Sequence, residues 1–363
     1  MKWSLRLGSL LGIPIYMHVT FLLLLAWIGV VHWTQEHSVR AVASGVGFIL
    51  AIFLCVVLHE LGHALTARRF GIKTRDITLL PIGGLARLER MPDEPVQELW
   101  VAVAGPAVNV VIAAALAAWL IAAEALEPLG GLGVAVGPFL QRLFVVNVLL
   151  VAFNMIPAFP MDGGRVLRAV LAMRLEYTKA THIASSVGQA FALLFGFAGL
   201  FVNPVLIFIA LFVWIGAAQE ASMVQMKTAL GGIPVGRAML TEFHTLRPSD
   251  TLARAVELTL ASSQKDFPVV EEARIVGVLV QGDVVAALSA SGSATRVGDV
   301  MRRDYQVVDP SEMLETVFER LQQCACRTVP VLRHGQLIGL ATMDNIGEFI
   351  AIKGALAKTG RSA

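Results

Sequence analysis

The chain of 363 residues is long enough for two domains of ordinary size. Hydrophobic residues make up 56% of it and charged residues only 15%, whereas about a quarter of the residues of a soluble protein are charged. A formal net charge of +2 at pH 7 is too small to indicate a nucleic-acid partner. The composition therefore excludes an ordinary soluble protein and predicts a membrane protein.

The first part of the chain, 1–228, contains long apolar stretches, each near the roughly 20 residues that a helix needs to cross a bilayer. We expect a polytopic α-helical membrane domain in contact with lipid. A single broken helix around Asn203 and Pro204 is the alternative to two separate final helices. The approximate bounds of the six predicted transmembrane helices are 17–35, 43–66, 99–123, 138–156, 183–202 and 204–223.

Lysine and arginine residues are distributed unevenly between the two sides of this six-helix arrangement. One side has only Arg40 and Arg142. Because loops rich in basic residues stay in the cytoplasm, we expect a multi-pass protein of the cell membrane with both termini cytoplasmic. The basic side carries Lys2, Arg6, Arg68, Arg69, Lys73, Arg75, Arg87, Arg90, Arg165, Arg168, Arg174 and Lys179.

A metal-binding pattern, His59-Glu60-Leu61-Gly62-His63, falls within the second predicted helix. Residues four apart share one helix face, so His59 and His63 can bind a single ion. Glu60 is placed to take a proton from a water on that ion, because zinc lowers the pKa of bound water toward neutrality. Ionisable residues in a transmembrane helix are costly and usually functional, which favours a zinc site over three ordinary core residues.

A tetrahedral zinc site with an open position needs a third protein ligand. The candidate is Asp162, in a stretch from Asn154 to Gly164 that ends the fourth predicted helix on the same side as His59. Prolines and glycines break the helix there, and irregular backbone at membrane depth is tolerated where it lines a wet cavity or is buried in protein. A solvated turn is the alternative, since Asp-Gly is a common turn pair. Spacing alone leaves both open.

Together, the His59–His63 pattern and the stretch from Asn154 to Gly163 resemble the site-2 protease family of intramembrane metalloproteases. The resemblance covers nearly the whole membrane half. Further matching features are Gly12-Ile13-Pro14-Ile15, His18, Pro81-Ile82-Gly83-Gly84 and Ala104-Gly105-Pro106 with Asn109.

This resemblance implies that His59, His63 and Asp162 bind one zinc ion per chain and that Glu60 is the general base. It places Asn154 near the metal, where it would help to hold the substrate or its oxyanion. The implied activity is hydrolysis of a peptide bond within or near a transmembrane segment of a single-pass membrane protein. The segment Pro81 to Leu88 suits a hairpin that pairs with an unwound, extended substrate. A simple loop is the alternative.

From about residue 233 the sequence becomes typical of a soluble protein and contains an internal repeat. Pro268 matches Pro330 and Gly277 matches Gly339, both at a spacing of 62 residues (330 − 268 and 339 − 277). A repeat of this size indicates a tandem module whose copies pack together. We expect an α/β module in 229–363, with copies at about 235–292 and 297–353.

The tandem module resembles a pair of CBS domains, which often bind adenine nucleotides through a Gly-x-x-Thr-x-x-Asp pattern. The first copy has Asp283 but Val280 in place of threonine, and the second has Thr342 but Asn345 in place of aspartate. Asp283 and Thr342 are therefore the implied nucleotide ligands, and a module that only forms a homodimer is the alternative. Cys324-x-Cys326 has no partner pair, so we expect reduced thiols and no second metal site.

Three functions follow from these patterns. The leading hypothesis is a zinc endopeptidase of the membrane, regulated by the CBS pair. A CBS-regulated transporter is the second, although no series of charged residues crosses the predicted helices. An inactive, protease-like scaffold is the third, and the intact Glu60 argues against it because loss of the base is the simplest route to inactivity.

Overall fold

The computed structural model describes residues 3–81, 83–92, 94–125, 137–323 and 327–359. The chain divides into two compact units, Met1–Met223 and Val224–Ala363. Cys55 is buried and free, whereas the predictions for Cys324 and Cys326 lie outside the described residues.

Apolar helices build the first unit. Five of the described helices are long and apolar enough to cross a membrane, and α4 is an apolar helix of 16 residues. The predicted helical membrane domain is confirmed. The helices are α1 (Val19–Glu36), α2 (Val39–Arg69), α3 (Pro95–Ala122), α4 (Phe139–Asn154), α5 (Asp162–Ala172), α6 (Tyr177–Phe201) and α7 (Val205–Leu230).

The last two predicted spans are separate helices. The side chain of Asn203 accepts a hydrogen bond from the Val205 amide at 2.9 Å and so caps the start of α7. A Cβ at Gly199 would lie 2.7 Å from Ile207 Cγ1, so the absence of a side chain lets the two helices meet closely at the turn. The alternative of one broken helix is therefore wrong.

The first unit also contains a four-stranded sheet. Its strands, in their order across the sheet, are β1 (Ser4–Leu10), β2 (Ile13–His18), β3 (Thr74–Leu80) and β4 (Gly83–Leu88). β2 and β3 run parallel, and the other pairs are antiparallel. Ile77 and Leu79 of β3 pack with Leu61 of α2 in one buried cluster. The segment predicted as a hairpin or a loop is thus part of the β3–β4 hairpin, and β4 lies at the edge of the sheet.

The second unit contains the predicted repeat. Corresponding elements begin 61 or 62 residues apart, as with α8 and α11 at Leu252 and Leu314. This confirms the α/β pair. The elements are α8 (Leu252–Ala261), β5 (Phe267–Glu271), β6 (Arg274–Leu279), α9 (Gln281–Ser291), α10 (Val297–Val300), α11 (Leu314–Gln323), β7 (Thr328–Arg333), β8 (Gln336–Thr342) and α12 (Met343–Thr359).

The two copies exchange backbone pairing. Leu240, near the start of the first copy, forms an antiparallel bridge with Leu340 in the hairpin of the second copy. Arg302, near the start of the second copy, forms the matching bridge with Val278 in the hairpin of the first. Each hairpin is therefore extended by the first residues of the other copy.

Candidate active site

Three buried side chains converge where α2 meets the start of α5. The Nε2 atoms of His59 and His63 lie 3.1 Å apart, and each lies 3.1 Å from Asp162 Oδ2. The two histidines occupy one face of α2, as the i, i+4 spacing predicts. Asp162 is the first residue of α5 and only 7% exposed, so the alternative of a solvated turn is wrong.

The spacing and the chemistry of these donor atoms fit a zinc ion. Bonds of about 2.0–2.1 Å in a tetrahedral site separate the ligand atoms by roughly 3.3 Å, close to the observed 3.1 Å. Two imidazole nitrogens and one carboxylate oxygen, with a fourth position left for water or substrate, are typical of catalytic zinc. Within the described ranges no other group of three or more His, Cys, Asp or Glu side chains converges in this way.

The second nitrogen of each histidine ring faces an acceptor on α3. His63 Nδ1 lies 2.6 Å from the Val101 carbonyl oxygen, and His59 Nδ1 lies 2.7 Å from Asn109 Oδ1. Because these oxygens can only accept, each Nδ1 carries the proton and each Nε2 presents a lone pair to the metal position. α3 therefore sets the tautomer and the orientation of both histidines.

A chain of buried amides holds Asn109 in turn. Asn109 Nδ2 donates to Asn147 Oδ1 at 3.0 Å, and Asn147 Nδ2 donates to the Leu143 carbonyl oxygen at 2.8 Å. Since the carbonyl can only accept, it fixes the orientation of both amides. The sequence predicts no role in the site for Asn109 or for Asn147. An amide inside an apolar span was the signal that could have indicated it.

Two glycines allow the helices to approach the metal position. A Cβ at Gly105 of α3 would lie 2.2 Å from His63 Nε2 and 2.7 Å from His59 Nε2. A Cβ at Gly62 of α2 would lie 2.7 Å from the Ala104 carbonyl oxygen. Any larger side chain at either position would displace α3 or the histidines. The Ala104-Gly105-Pro106 segment thus lies directly against the site.

The stretch after α4 folds back tightly on α5. Gly163 and Gly164 lie so close to the preceding backbone that a Cβ would approach the Ile156 carbonyl oxygen to 2.3 Å and the Ala158 carbonyl carbon to 2.6 Å. Ala158 and Phe159 are fully buried in this turn. The predicted helix break is present, and its two glycines allow Asp162 to lie within 3.1 Å of the histidines of α2.

Glu60 lies between the histidines and the sheet. Its Oε2 accepts a hydrogen bond of 3.0 Å from the backbone amide of Ala86 in β4, and a Cβ at Gly84 would lie 2.8 Å from Glu60 Cγ. Asn154 is half-buried at the last residue of α4. Within the described part of the chain, its side chain makes no hydrogen bond to the three clustered residues.

The two residues predicted to bind a nucleotide both have partners within the second unit. Asp283 accepts from Arg302 Nε at 2.5 Å and from Nη2 at 2.9 Å, and this bonding lowers the pKa of the Asp283 carboxyl. Thr342 Oγ1 accepts from the Asn345 amide at 3.1 Å, near the start of α12. By the spacing of 62 residues, Asp283 and Asn345 are equivalent positions in the two copies.

Comparisons with known proteins agree with the geometry. The model for peptidase family M50 matches residues 47–129 and 131–195, and the model for the CBS domain matches 235–290 and 297–351. A zinc metalloprotease of Methanocaldococcus jannaschii is 37% identical over 285 residues, which are 78% of this chain and 80% of the relative.

Two further similarities each cover one part of the chain. A solved site-2 protease structure from Methanocaldococcus jannaschii is similar to 60% of this chain and 95% of its own, at 38% identity and a TM-score of 0.44. The CBS domain-containing protein YhcV of Bacillus subtilis is 26% identical over 110 residues, 30% of this chain and 79% of its own.

The family models and the zinc metalloprotease relative decide among the three functions that the sequence suggested. The buried ligand group lies inside the matched M50 segment, and the paired CBS copies follow it. The chain therefore belongs to peptidase family M50, the site-2 protease family, and is a multi-pass membrane zinc metalloprotease with a C-terminal pair of CBS domains.

Proposed function

We propose that this protein is an intramembrane endopeptidase that cleaves a single-pass membrane protein within or near its transmembrane segment. The observation that carries the proposal is the buried group His59, His63 and Asp162, two of whose members lie within α2, a helix long and apolar enough to cross a membrane. When bound there, one zinc ion per chain supplies a Lewis acid and lowers the pKa of water.

Glu60 is the proposed general base. Its carboxylate takes a proton from the attacking water as that oxygen bonds to the scissile carbonyl carbon. It then returns the proton to the departing nitrogen as the C–N bond breaks. Asn154, in the stretch that leads to Asp162, is the proposed donor that steadies the substrate or its oxyanion.

The outer edge of β4, the last strand of the sheet, is the proposed binding surface for the substrate chain. A transmembrane helix must unwind before its peptide bonds can be reached, and the freed backbone groups need partners in a medium without water. Strand addition to β4 would supply them. Gly84 and Ala86 lie beside Glu60, so an added strand would pass close to the base.

The test is Glu60→Gln, which keeps the size of the side chain and removes its basicity. We expect about one zinc per chain, as in the wild type, and cleavage of a single-pass reporter in detergent reduced about 10²–10⁴-fold. Glu89→Gln, at an exposed position just beyond β4, is the matched control and should cleave normally. Near-normal cleavage by Glu60→Gln would show that another group activates the water.

We also propose that the CBS pair binds an adenine nucleotide and that binding changes the cleavage rate. A ribose at Asp283 would replace Arg302, which then becomes free to pair with phosphate. Titration calorimetry of the full chain with AMP and ATP should detect binding that Asp283→Ala weakens and Asp304→Ala, at an exposed position, leaves unchanged. No binding at millimolar concentration, with an unchanged cleavage rate, would leave the pair as a dimerisation module.

A further inference from the structure

A buried arginine lies six residues after the aspartate of the zinc site. Arg168 is on α5 and has 0% exposure. Its Nε donates to Glu98 Oε1 at 2.8 Å, its Nη2 donates to the same oxygen, and its Nη1 donates to Glu220 Oε1 on α7. The assigned chemistry uses none of these three side chains. Burying a charged group is costly even when it is paired, so the network requires an explanation other than stability.

The position of Glu98 links this network to the histidines. Glu98 lies on α3, almost one turn before Val101, whose carbonyl oxygen faces His63 Nδ1. Further along the same helix, Asn109 faces His59 Nδ1. α3 is therefore the helix that orients both histidines, and Arg168 joins it to the helix that begins with Asp162.

Arg168 also contacts the turn that precedes Asp162. The centre of its guanidinium lies 5.0 Å from the centroid of the Phe159 ring and 5.1 Å from that of Tyr177. Cations favour the faces of aromatic rings at such distances. Phe159 precedes Asp162 by three residues and Tyr177 follows it, so the Arg168 guanidinium contacts the chain on both sides of this ligand in the sequence.

The network is not optimised for stability alone. Glu98 Oε2 is buried and has no hydrogen-bond partner among the described residues. A carboxylate with one satisfied oxygen costs more than an apolar side chain of the same size. The geometric effect of the Arg168–Glu98 pair is to fix the distance between α3 and α5.

We propose that Arg168 is a positioning residue, which holds Asp162 at the correct distance from His59 and His63 by tying α5 to α3 through Glu98. The proposal rests on the zinc site of the proposed protease and is independent of its substrate. Arginine suits this role because its planar fork can bind two carboxylates at once, whereas a lysine ammonium is a single point charge.

The experiment measures zinc affinity rather than cleavage. Full-length protein in detergent is stripped of metal, and its zinc affinity is measured by competition with a chromophoric chelator. We expect Arg168→Lys to bind zinc about 10–100-fold more weakly than the wild type, the usual effect of removing a group that orients a metal ligand. Arg174→Lys, at an exposed position just after α5, is the matched control and should bind zinc normally.

Two further readouts separate positioning from a purely structural role. The visible spectrum of the cobalt-substituted protein should change in Arg168→Lys, because the carboxylate of Asp162 no longer meets the metal in the same geometry. Thermal unfolding of the metal-free variants measures stability on its own. Arg168→Lys with a lower unfolding temperature but wild-type zinc affinity and spectrum would overturn the proposal.

Glu98→Gln provides an independent arm if Arg168→Lys does not yield folded protein. The substitution keeps an acceptor near Arg168 but removes the charge, so zinc binding should weaken by at least several-fold. Unchanged zinc affinity in folded Glu98→Gln would contradict the role of the α3–α5 link. The zinc content of Glu60→Gln is measured in parallel, so failure of this inference stays distinguishable from failure of the proposed reaction.

Discussion

At the scale of single residues, the zinc site depends on what surrounds the ligands as much as on the ligands themselves. Val101 and Asn109 select the histidine tautomer, and Gly105 leaves the space in which both Nε2 atoms point to one spot. None of these three is one of the proposed ligands. Their contribution is to ensure that the lone pairs of His59 and His63 already converge before metal arrives.

Gly105→Ala should therefore damage the site without touching a ligand. An alanine Cβ would lie 2.2 Å from His63 Nε2, so the ring must turn away and lose its contact with Val101. We expect zinc affinity to fall at least about 10-fold. The measurement is zinc per chain by mass spectrometry after equilibration with a chelator. Gly47→Ala, in open space on α2, is the control, and full zinc retention by Gly105→Ala would contradict the argument.

At the scale of elements, the site is made by α2, α3 and α5, with β4 beside the base. The i, i+4 pattern on α2 and the helix break before Asp162 could be predicted because both are local signals. The predicted membrane span 43–66 lies within the longer helix Val39–Arg69. Hydropathy marks the part of a helix that lies in lipid, whereas backbone hydrogen bonding continues into the polar residues beyond.

Two other features could not be read from local sequence. α5 is an amphipathic helix of 11 residues, too short and too polar to resemble a membrane span. The burial of Arg168 depends on Glu98 and Glu220, which are 70 and 52 residues away along the chain. Both depend on tertiary packing, so the sequence could only place Arg168 among the basic residues of one side.

The Asp283–Arg302 pair of the second unit connects α9 to the segment after α10, and its effect depends on pH. Because the Arg302 guanidinium favours the charged carboxylate, the pKa of Asp283 is lowered in the folded protein. The pair therefore stabilises the fold above the unfolded pKa of about 3.9 and loses this effect as pH falls through the lower folded value.

Asp283→Asn should consequently destabilise the second unit slightly at neutral pH, by about 0.2–1 kcal/mol for a pair this exposed. The difference from the wild type should shrink as pH falls below about 4. Denaturant unfolding of the full chain across this range checks it, with Asp304→Asn as the exposed control. If the difference in unfolding free energy between Asp283→Asn and the wild type stayed constant down to low pH, the destabilisation would have a cause other than the ion pair.

At the scale of the whole molecule, the chain is a membrane protease followed by two CBS copies that are joined by β-bridges. The distribution of basic residues predicts that the ends of α2 and α4, and with them the zinc site, are nearer to the cytoplasm. The hairpin exchange in the second unit means that neither copy has a complete sheet without the other. The repeat of 62 residues indicated the two copies, but not this exchange, which joins segments distant in sequence.

The predicted orientation can be checked by cysteine labelling. In a background without Cys324 and Cys326, an impermeant maleimide should label His37→Cys in intact cells and Lys179→Cys only after the membrane is opened. His37 lies exposed between α1 and α2, and Lys179 lies at the start of α6. The reverse pattern would invert the membrane domain and move the zinc site to the outer side.

The position of the histidines within α2 also determines what the enzyme would release. His63 and His59 precede Arg68 by five and nine residues, which is about 8 and 14 Å of helix. An extended substrate chain covers that depth in roughly two to four residues. A fragment cut at the zinc site would keep only those few membrane residues on the basic side, far below the roughly 20 that span a bilayer. Such a fragment would have too little apolar length to remain anchored, so in the proposed reaction cleavage at this depth would also free the fragment from the membrane.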